Sequence, residues 1–270
     1  MLVRLPCAPL IPALFASLLG MGVVRGEECI KSVRWYDDPP YTVRLADGSI
    51  GGLNVELARE ALRRMGCSMN LVEMPWARAL LELEHGRLDI LPGALRSEER
   101  ERYAYFSQPT NRSPNVLFLS KQAANRYPIG ELADIVGTEF RLGTQIKVNY
   151  GPVYMQLQQN PAFLARLVPI TQRRGAWKML QLGRLDGMIA DEVTALMELR
   201  QLGLSEAVVK TQVVTADEPA MFAFSKQRIN ADFVDHFNQA LEAMKANGSY
   251  QDILNRTLPC KASIKNLGCE

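Results

Sequence analysis

Ser97-Glu98-Glu99-Arg100 is the stretch of this sequence whose residue types most directly suggest chemistry. Serine followed by two acids has the order of a capped helix start, where free backbone N–H groups point outward. A guanidinium beside those donors makes a carboxylate site, because its forked N–H groups match two oxygens. Further on, Ala190-Asp191-Glu192 ends a short apolar run, and the Asp191 carboxylate is suited to accept hydrogen bonds from an ammonium group. Arg100 and Asp191 together would read the two ends of a zwitterion. Each has a plainer reading. Arg100 stands in a charge run, 98–102, of the kind that usually forms a solvated helix face, and Asp191 is a fitting N-cap for a helix beginning near Val193. Trp76, Tyr36 and Tyr41 are candidate apolar walls for the same ligand, since each stands at or after the end of an expected strand. Tyr103, Tyr105 and Phe106 look more like packing residues.

The elements that must hold these residues follow from hydrophobic period. Strands are expected over 32–36, 70–73 and 88–91, with helices over 53–65 and 75–83 between them. Leu53, Leu57, Ala61 and Met65 recur at helical spacing, and Gly66 stands where a helix would stop. The second half repeats the theme: strands over 141–143, 167–170 and 186–189, helices over 150–158 and 177–182. Alternating strands and helices imply parallel sheets with right-handed crossovers. A tetrapeptide also recurs, Gly86-Arg87-Leu88-Asp89 and Gly183-Arg184-Leu185-Asp186, each copy following a helix that carries a tryptophan (Trp76, Trp177). Matching surroundings on both sides predict two similar α/β lobes. The apolar stretches 115–120 and 220–225 read as two hinge strands, giving lobe one as 27–118 plus 219–270 and lobe two as 119–218. Helices over 232–246 and 250–255 return to lobe one. In open α/β sheets ligands bind beyond the carboxyl ends of the strands, so two facing lobes put the segments after 91 and 189 across one cleft.

The N-terminus has Arg4, an apolar run over 10–24 and then Val24-Arg25-Gly26, the order of a cleaved secretory signal peptide over 1–26. As a membrane span the run is short, since a span needs about 20 apolar residues, and Pro12, Gly20 and Gly22 break it. The whole chain carries a net charge of +2; losing Arg4 and Arg25 makes the mature chain nearly neutral, which excludes a basic footprint for nucleic acid. Export leaves Cys29, Cys67, Cys260 and Cys269, and four thiols in an oxidising compartment favour disulfides over metal. Three pairings are open; Cys29–Cys67 and Cys260–Cys269 are favoured because the first two precede neighbouring strands and the last two close a short loop. His85 and His236 lack ligand spacing, so neither metal nor cofactor is expected.

These residues resemble the family 3 bacterial extracellular solute-binding proteins, the polar amino-acid-binding components of ABC importers. The marks are Pro39-Pro40-Tyr41, the run from Gly51 to Leu57, Trp76 with Leu80, Gly86 to Asp89, Ser97 to Arg100, Tyr105 to Pro109, Leu185-Asp186 and Asp191-Glu192, together spanning about 32–258. The resemblance implies a type II periplasmic-binding-protein fold, a periplasmic monomer, and a small amino-acid-like ligand passed to a permease or read by a signalling receptor. It also implies that Arg100 grips the α-carboxylate, Asp191 takes the α-amino group and Trp76 lines the side-chain pocket, with Ser97 nearby. Leu95 and Arg96 stand where the family usually has a hydroxyl residue, Lys147-Val148-Asn149 where it has Gly-Thr-Thr, and Asp38 where it has an aromatic. Leu95 and Asn149 therefore join the candidate ligand contacts. An enzyme on the same scaffold, similar to a periplasmic cyclohexadienyl dehydratase with Glu192 or Glu73 as acid, is the rival reading; no nucleophile–base pair stands out, and none is assigned.

Overall fold

The computed structural model describes residues 1–2 and 28–270. The expected leader over 1–26, apart from Met1 and Leu2, lies outside the described residues.

Ten strands build two sheets: β1 (Ile30–Trp35), β2 (Ser68–Glu73), β3 (Ile90–Ala94), β4 (Ala104–Phe106), β5 (Asn115–Ser120), β6 (Leu142–Gln145), β7 (Leu167–Ile170), β8 (Gly187–Asp191), β9 (Val208–Ala216) and β10 (Met221–Ser225). The first sheet has the order β2-β1-β3-β10-β4 and the second β7-β6-β8-β5-β9. Both orders are the same pattern. In the first, β1 pairs in parallel with β2 and β3, while β10 runs antiparallel between β3 and β4. In the second, β6 takes the place of β1, and β5 runs antiparallel between β8 and β9. The molecule is therefore the bilobal α/β type II architecture, with one reversed strand in each mainly parallel sheet.

That reversed strand corrects one expectation. The stretches 115–120 and 220–225 are internal sheet strands rather than free hinges. Strand β5 shows why: Val116 and Phe118 enter one core while Leu117 and Leu119 enter another. A run apolar on both faces can be buried only inside a sheet. The chain crosses instead through 107–114 and 217–220, where Asn111 and Ala220 form an isolated antiparallel bridge with the Ala220 N–H donating to the Asn111 carbonyl at 2.7 Å. The first crossing thus precedes residue 115, ahead of the expected boundary at 118.

Helices cover both faces of each sheet. α1 (Leu53–Arg64) packs on one face of the first sheet and α2 (Trp76–Glu84) on the other. A four-residue turn, α3 (Glu98–Glu101), follows β3; α4 (Arg173–Gln181) and α5 (Glu192–Gln201) serve the second sheet. Finally α6 (Ala231–Ala246) and α7 (Ser249–Thr257) return to α1, as the periodicity predicts. Among the described residues no helix is long and apolar enough to cross a membrane.

The repeated tetrapeptide has one job in both lobes. Gly86 and Gly183 take left-handed backbone angles (φ 69° and 66°) that stop the preceding helix. Leu88 and Leu185 are fully buried. Asp89 then accepts from the Ser32 backbone N–H at 2.8 Å, and Asp186 from the Arg141 backbone N–H at 2.8 Å. Each aspartate thus ties the entry of its lobe's third strand to the entry of its first. The motif is structural.

Two disulfides hold the first lobe, Cys29–Cys67 and Cys260–Cys269, the pairing favoured from sequence. The first joins the entries of neighbouring strands β1 and β2. The second closes the C-terminal hairpin, whose Leu267 carbonyl accepts from the Arg112 backbone N–H at 2.8 Å and so braces the crossing segment.

Candidate functional site

Where the carboxyl ends of the two sheets face each other, the lobes enclose a cavity of about 360 Å³. That is within the usual range for small-ligand pockets, about 300–1,000 Å³. Tyr36, Tyr41, Trp76, Leu95 and Arg100 line it from the first lobe, Asn149 and Asp191 from the second. Of the expected contacts only Ser97 is absent from the lining. Its hydroxyl instead accepts from the Arg100 backbone N–H at 3.4 Å and caps α3. Ser97→Ala is accordingly expected to lower stability by about 1 kcal/mol or less, the usual scale of a lost cap, and to leave ligand affinity nearly unchanged. Calorimetric titration of the variant checks this, and a tenfold loss of affinity would return Ser97 to the ligand.

Arg100 reaches the cavity through a sharp bend. Gly93, with φ 75°, turns the end of β3, and the chain curls through Leu95 to α3. The Leu95 carbonyl accepts from the Arg100 guanidinium at 2.8 Å, fixing its orientation. A second guanidinium nitrogen donates to the Lys147 carbonyl of the other lobe at 3.2 Å, which also accepts from the Trp76 indole N–H at 3.2 Å. Lys147 offers this carbonyl from a left-handed backbone (φ 63°), an uncommon conformation for a lysine. Arg100 is buried, with no carboxylate partner among the described residues, and burial lowers its pKa, opposed by Tyr103 and Glu99.

Asp191 ends β8 and caps α5, accepting from the Thr194 backbone N–H at 2.9 Å. From the first lobe the Tyr41 hydroxyl points at its carboxylate at 3.3 Å. Tyr41 thus lines the cavity and makes a polar contact there, where an apolar wall was expected. Burial pushes the Asp191 carboxyl above its ordinary range, opposed by the Thr194 N–H and the Ser113 hydroxyl; no cation pairs with it among the described residues.

Several lining residues escape a reading by sequence. Arg34 lies in β1, 6% exposed, with its guanidinium carbon 5.5 Å from the Tyr36 ring and 5.6 Å from that of Trp76. A charged residue between apolar Val33 and Trp35 was the available signal. Arg173 was missed because Gly175 interrupts the helical period, so α4 was expected to begin at 177. Its guanidinium pairs with buried Glu198 at 2.8 Å in its own lobe and with Asp38 at 2.5 Å across the cleft. Burial works against that charge, yet the two carboxylates outweigh it and raise the Arg173 pKa. Glu198 also accepts from the Trp177 indole N–H at 2.6 Å. With Gln172 donating to the Tyr36 hydroxyl at 3.3 Å, these contacts join the lobes on either side of the cavity. The rival catalytic acids are tied elsewhere. Glu73 lines the cavity but is half exposed and paired with Arg44 at 3.2 Å, and Glu192 pairs with Lys210 at 2.6 Å.

Known proteins are similar to this chain in sequence and in fold. The L-cystine-binding protein of Escherichia coli K12 is 25% identical over 221 residues, covering 79% of this chain and 76% of its own. The L-arginine-binding protein of Pseudomonas aeruginosa is 23% identical over 253 residues, covering 92% and 94%. Among solved structures, a histidine kinase sensor domain similar to periplasmic binding proteins superposes with a TM-score of 0.73 at 22% identity, covering 87% of this chain and 97% of that one. An ancestral arginine-binding protein bound to arginine gives 0.70 at 24%, covering 84% and 97%. The model of the bacterial extracellular solute-binding proteins, family 3, matches residues 33–259, and the chain belongs to that family.

Proposed function

We propose that this protein captures an amino acid in the periplasm by closing its two lobes on it and delivers it to an ABC importer. One observation carries the reading: Arg100 and Asp191 come from opposite lobes, line one cavity, and have no ion pair among the described residues. A zwitterion supplies a partner to each. Its carboxylate fits the Arg100 fork and its ammonium the Asp191 carboxylate, so the ligand interacts fully only when the lobes are shut. Such differential affinity is what shifts a hinge equilibrium toward the closed state.

The importer reading is supported by relatives named as amino-acid-binding proteins of ABC transporters. A binding role rather than catalysis is supported by Glu73 and Glu192, each held in an ion pair instead of poised as a buried acid. Export through a cleaved leader over 1–26 agrees with two disulfides, which persist in oxidising compartments. A thermal-shift screen of the mature chain against amino acids, polyamines and small organic acids tests the proposal. A ligand present at 100 times its Kd stabilises by about 2.7 kcal/mol, so a true amino-acid ligand is expected to raise Tm by several degrees. Silence from every amino acid would end this reading.

A further inference from the structure

We infer that the amino acid this cavity selects carries a second carboxylate, held by Arg34, so that the ligand is of the acidic class. The inference rests on the amino-acid reading of the same cavity and comes from its charges. Arg34 donates its Nε–H to the Met74 carbonyl at 3.1 Å, and neither terminal guanidinium nitrogen has a partner among the described residues. Tyr36 and Trp76 flank the guanidinium, and the buried residue lines the cavity. A flat guanidinium held against rings presents its N–H edge to an in-plane, bidentate acceptor, which is the geometry of a carboxylate.

Asp38 favours the Arg34 charge from a distance, but no acid of the lining hydrogen-bonds it. Asp38 and Glu198 are engaged by Arg173, and Glu73 by Arg44. Asp37 and Glu218 are exposed, where water screens them. Arg34, Arg100 and Arg173 thus stand in the lining against Asp191, Asp38 and Glu198, and Arg173 takes both of the last two, so Arg34 has no ion pair among the described residues. A neutral zwitterion answers Arg100 and Asp191 and leaves the terminal nitrogens of Arg34 without an acceptor among the described residues. An amino acid with an acidic side chain answers all three. A cationic side chain would add like charge beside Arg34, which a buried site penalises strongly. Burial also draws the Arg34 pKa down to about 10, against the pull of Asp38 and Tyr36, so it stays charged at neutral pH.

The test is calorimetric titration of the mature protein with glutamate, aspartate, their amides glutamine and asparagine, arginine, and glutarate. At least one acidic amino acid is expected to bind about a hundredfold or more tighter than its amide, on the scale of losing one partner of a buried charge pair. Arg34→Met is expected to abolish that preference while leaving Tm without ligand unchanged or higher. Arg34→Lys, which keeps the charge but not the fork, is expected to retain part of it. Neutral or cationic amino acids binding as tightly as acidic ones would overturn the inference and leave the amino-acid reading standing. Tight glutarate binding that ignores substitution at Asp191 but fails in Arg34→Met would instead keep the second-carboxylate site and overturn the amino-acid reading. Binding of none of these compounds would overturn the inference and leave the amino-acid reading to the wider screen. Were Arg34→Met not to fold, the wild-type ranking of acid over amide and the Arg34→Lys titration decide alone.

Discussion

Arg100→Ala is expected to eliminate ligand-induced stabilisation while leaving the unliganded fold nearly as stable as before. Removing one partner of a buried charge pair costs about 2–5 kcal/mol of binding, roughly thirty- to several-thousand-fold in Kd. Alanine leaves the ligand carboxylate desolvated in the closed cleft with one fewer donor, beside apolar Trp76 and Leu95. The unliganded protein loses little. Arg100 has no ion pair there, its burial already disfavours its charge, and its hydrogen bonds end on two backbone carbonyls, Leu95 and Lys147. Those carbonyls face a cavity that water can fill, so the change in unfolding free energy should stay within about 1 kcal/mol. Thermal unfolding of wild type and variant, with and without the ligand found by screening, separates the two effects. A ligand-induced shift of wild-type size in Arg100→Ala would remove the residue from the site.

Asp191→Asn is expected to weaken binding by about 2 kcal/mol or more and to raise the Tm of the unliganded protein. Asparagine is as good an N-cap as aspartate, so the hydrogen bond from the Thr194 N–H survives and α5 stays in place. What disappears is a buried carboxylate that no cation pairs with among the described residues. Because the folded protein raises the Asp191 pKa above its unfolded value, folding takes up protons there, and stability falls as pH rises through the raised pKa. The substitution removes that penalty at neutral pH. Ligand reverses the preference: an ammonium group favours the ionised carboxylate. Affinity should therefore fall as pH drops through the raised Asp191 pKa, with binding below it accompanied by proton release. Titrations in two buffers of different ionisation enthalpy measure that release. No proton release, together with unchanged affinity in the asparagine variant, would exclude an ammonium partner for Asp191.

Much of the architecture was legible because it rests on local period and turn chemistry. Helix α1 shows its buried face in Leu53, Leu57, Ala61 and Leu62, and the two left-handed glycines punctuate equivalent helices in the two lobes. Strand β9 was not legible. Its exposure along Val208–Ala216 follows no period of two, because two register shifts against β5 rotate successive side chains out of alternation. Strand β4 has three residues, too few to display a period at all, and its Tyr105 and Phe106 could be read only as packing.

The site divides in the same way. Arg100 and Asp191 could be found because each follows a strand end, a place set by chain order alone. Their facing one another could not, since nearby residues in space are far apart along the chain. By itself the sequence determined the two matching lobes, the aspartates that tie their strands, and the positions where a ligand's charges would be met. Only the tertiary structure decided that 115–120 and 220–225 are sheet strands, that Ser97 caps a helix outside the cavity lining, and that Arg34 stands buried between aromatic rings with its terminal nitrogens unbonded among the described residues. The reason is physical: whether a charge is solvated, paired or left waiting depends on what the rest of the chain packs around it, and no local pattern records that.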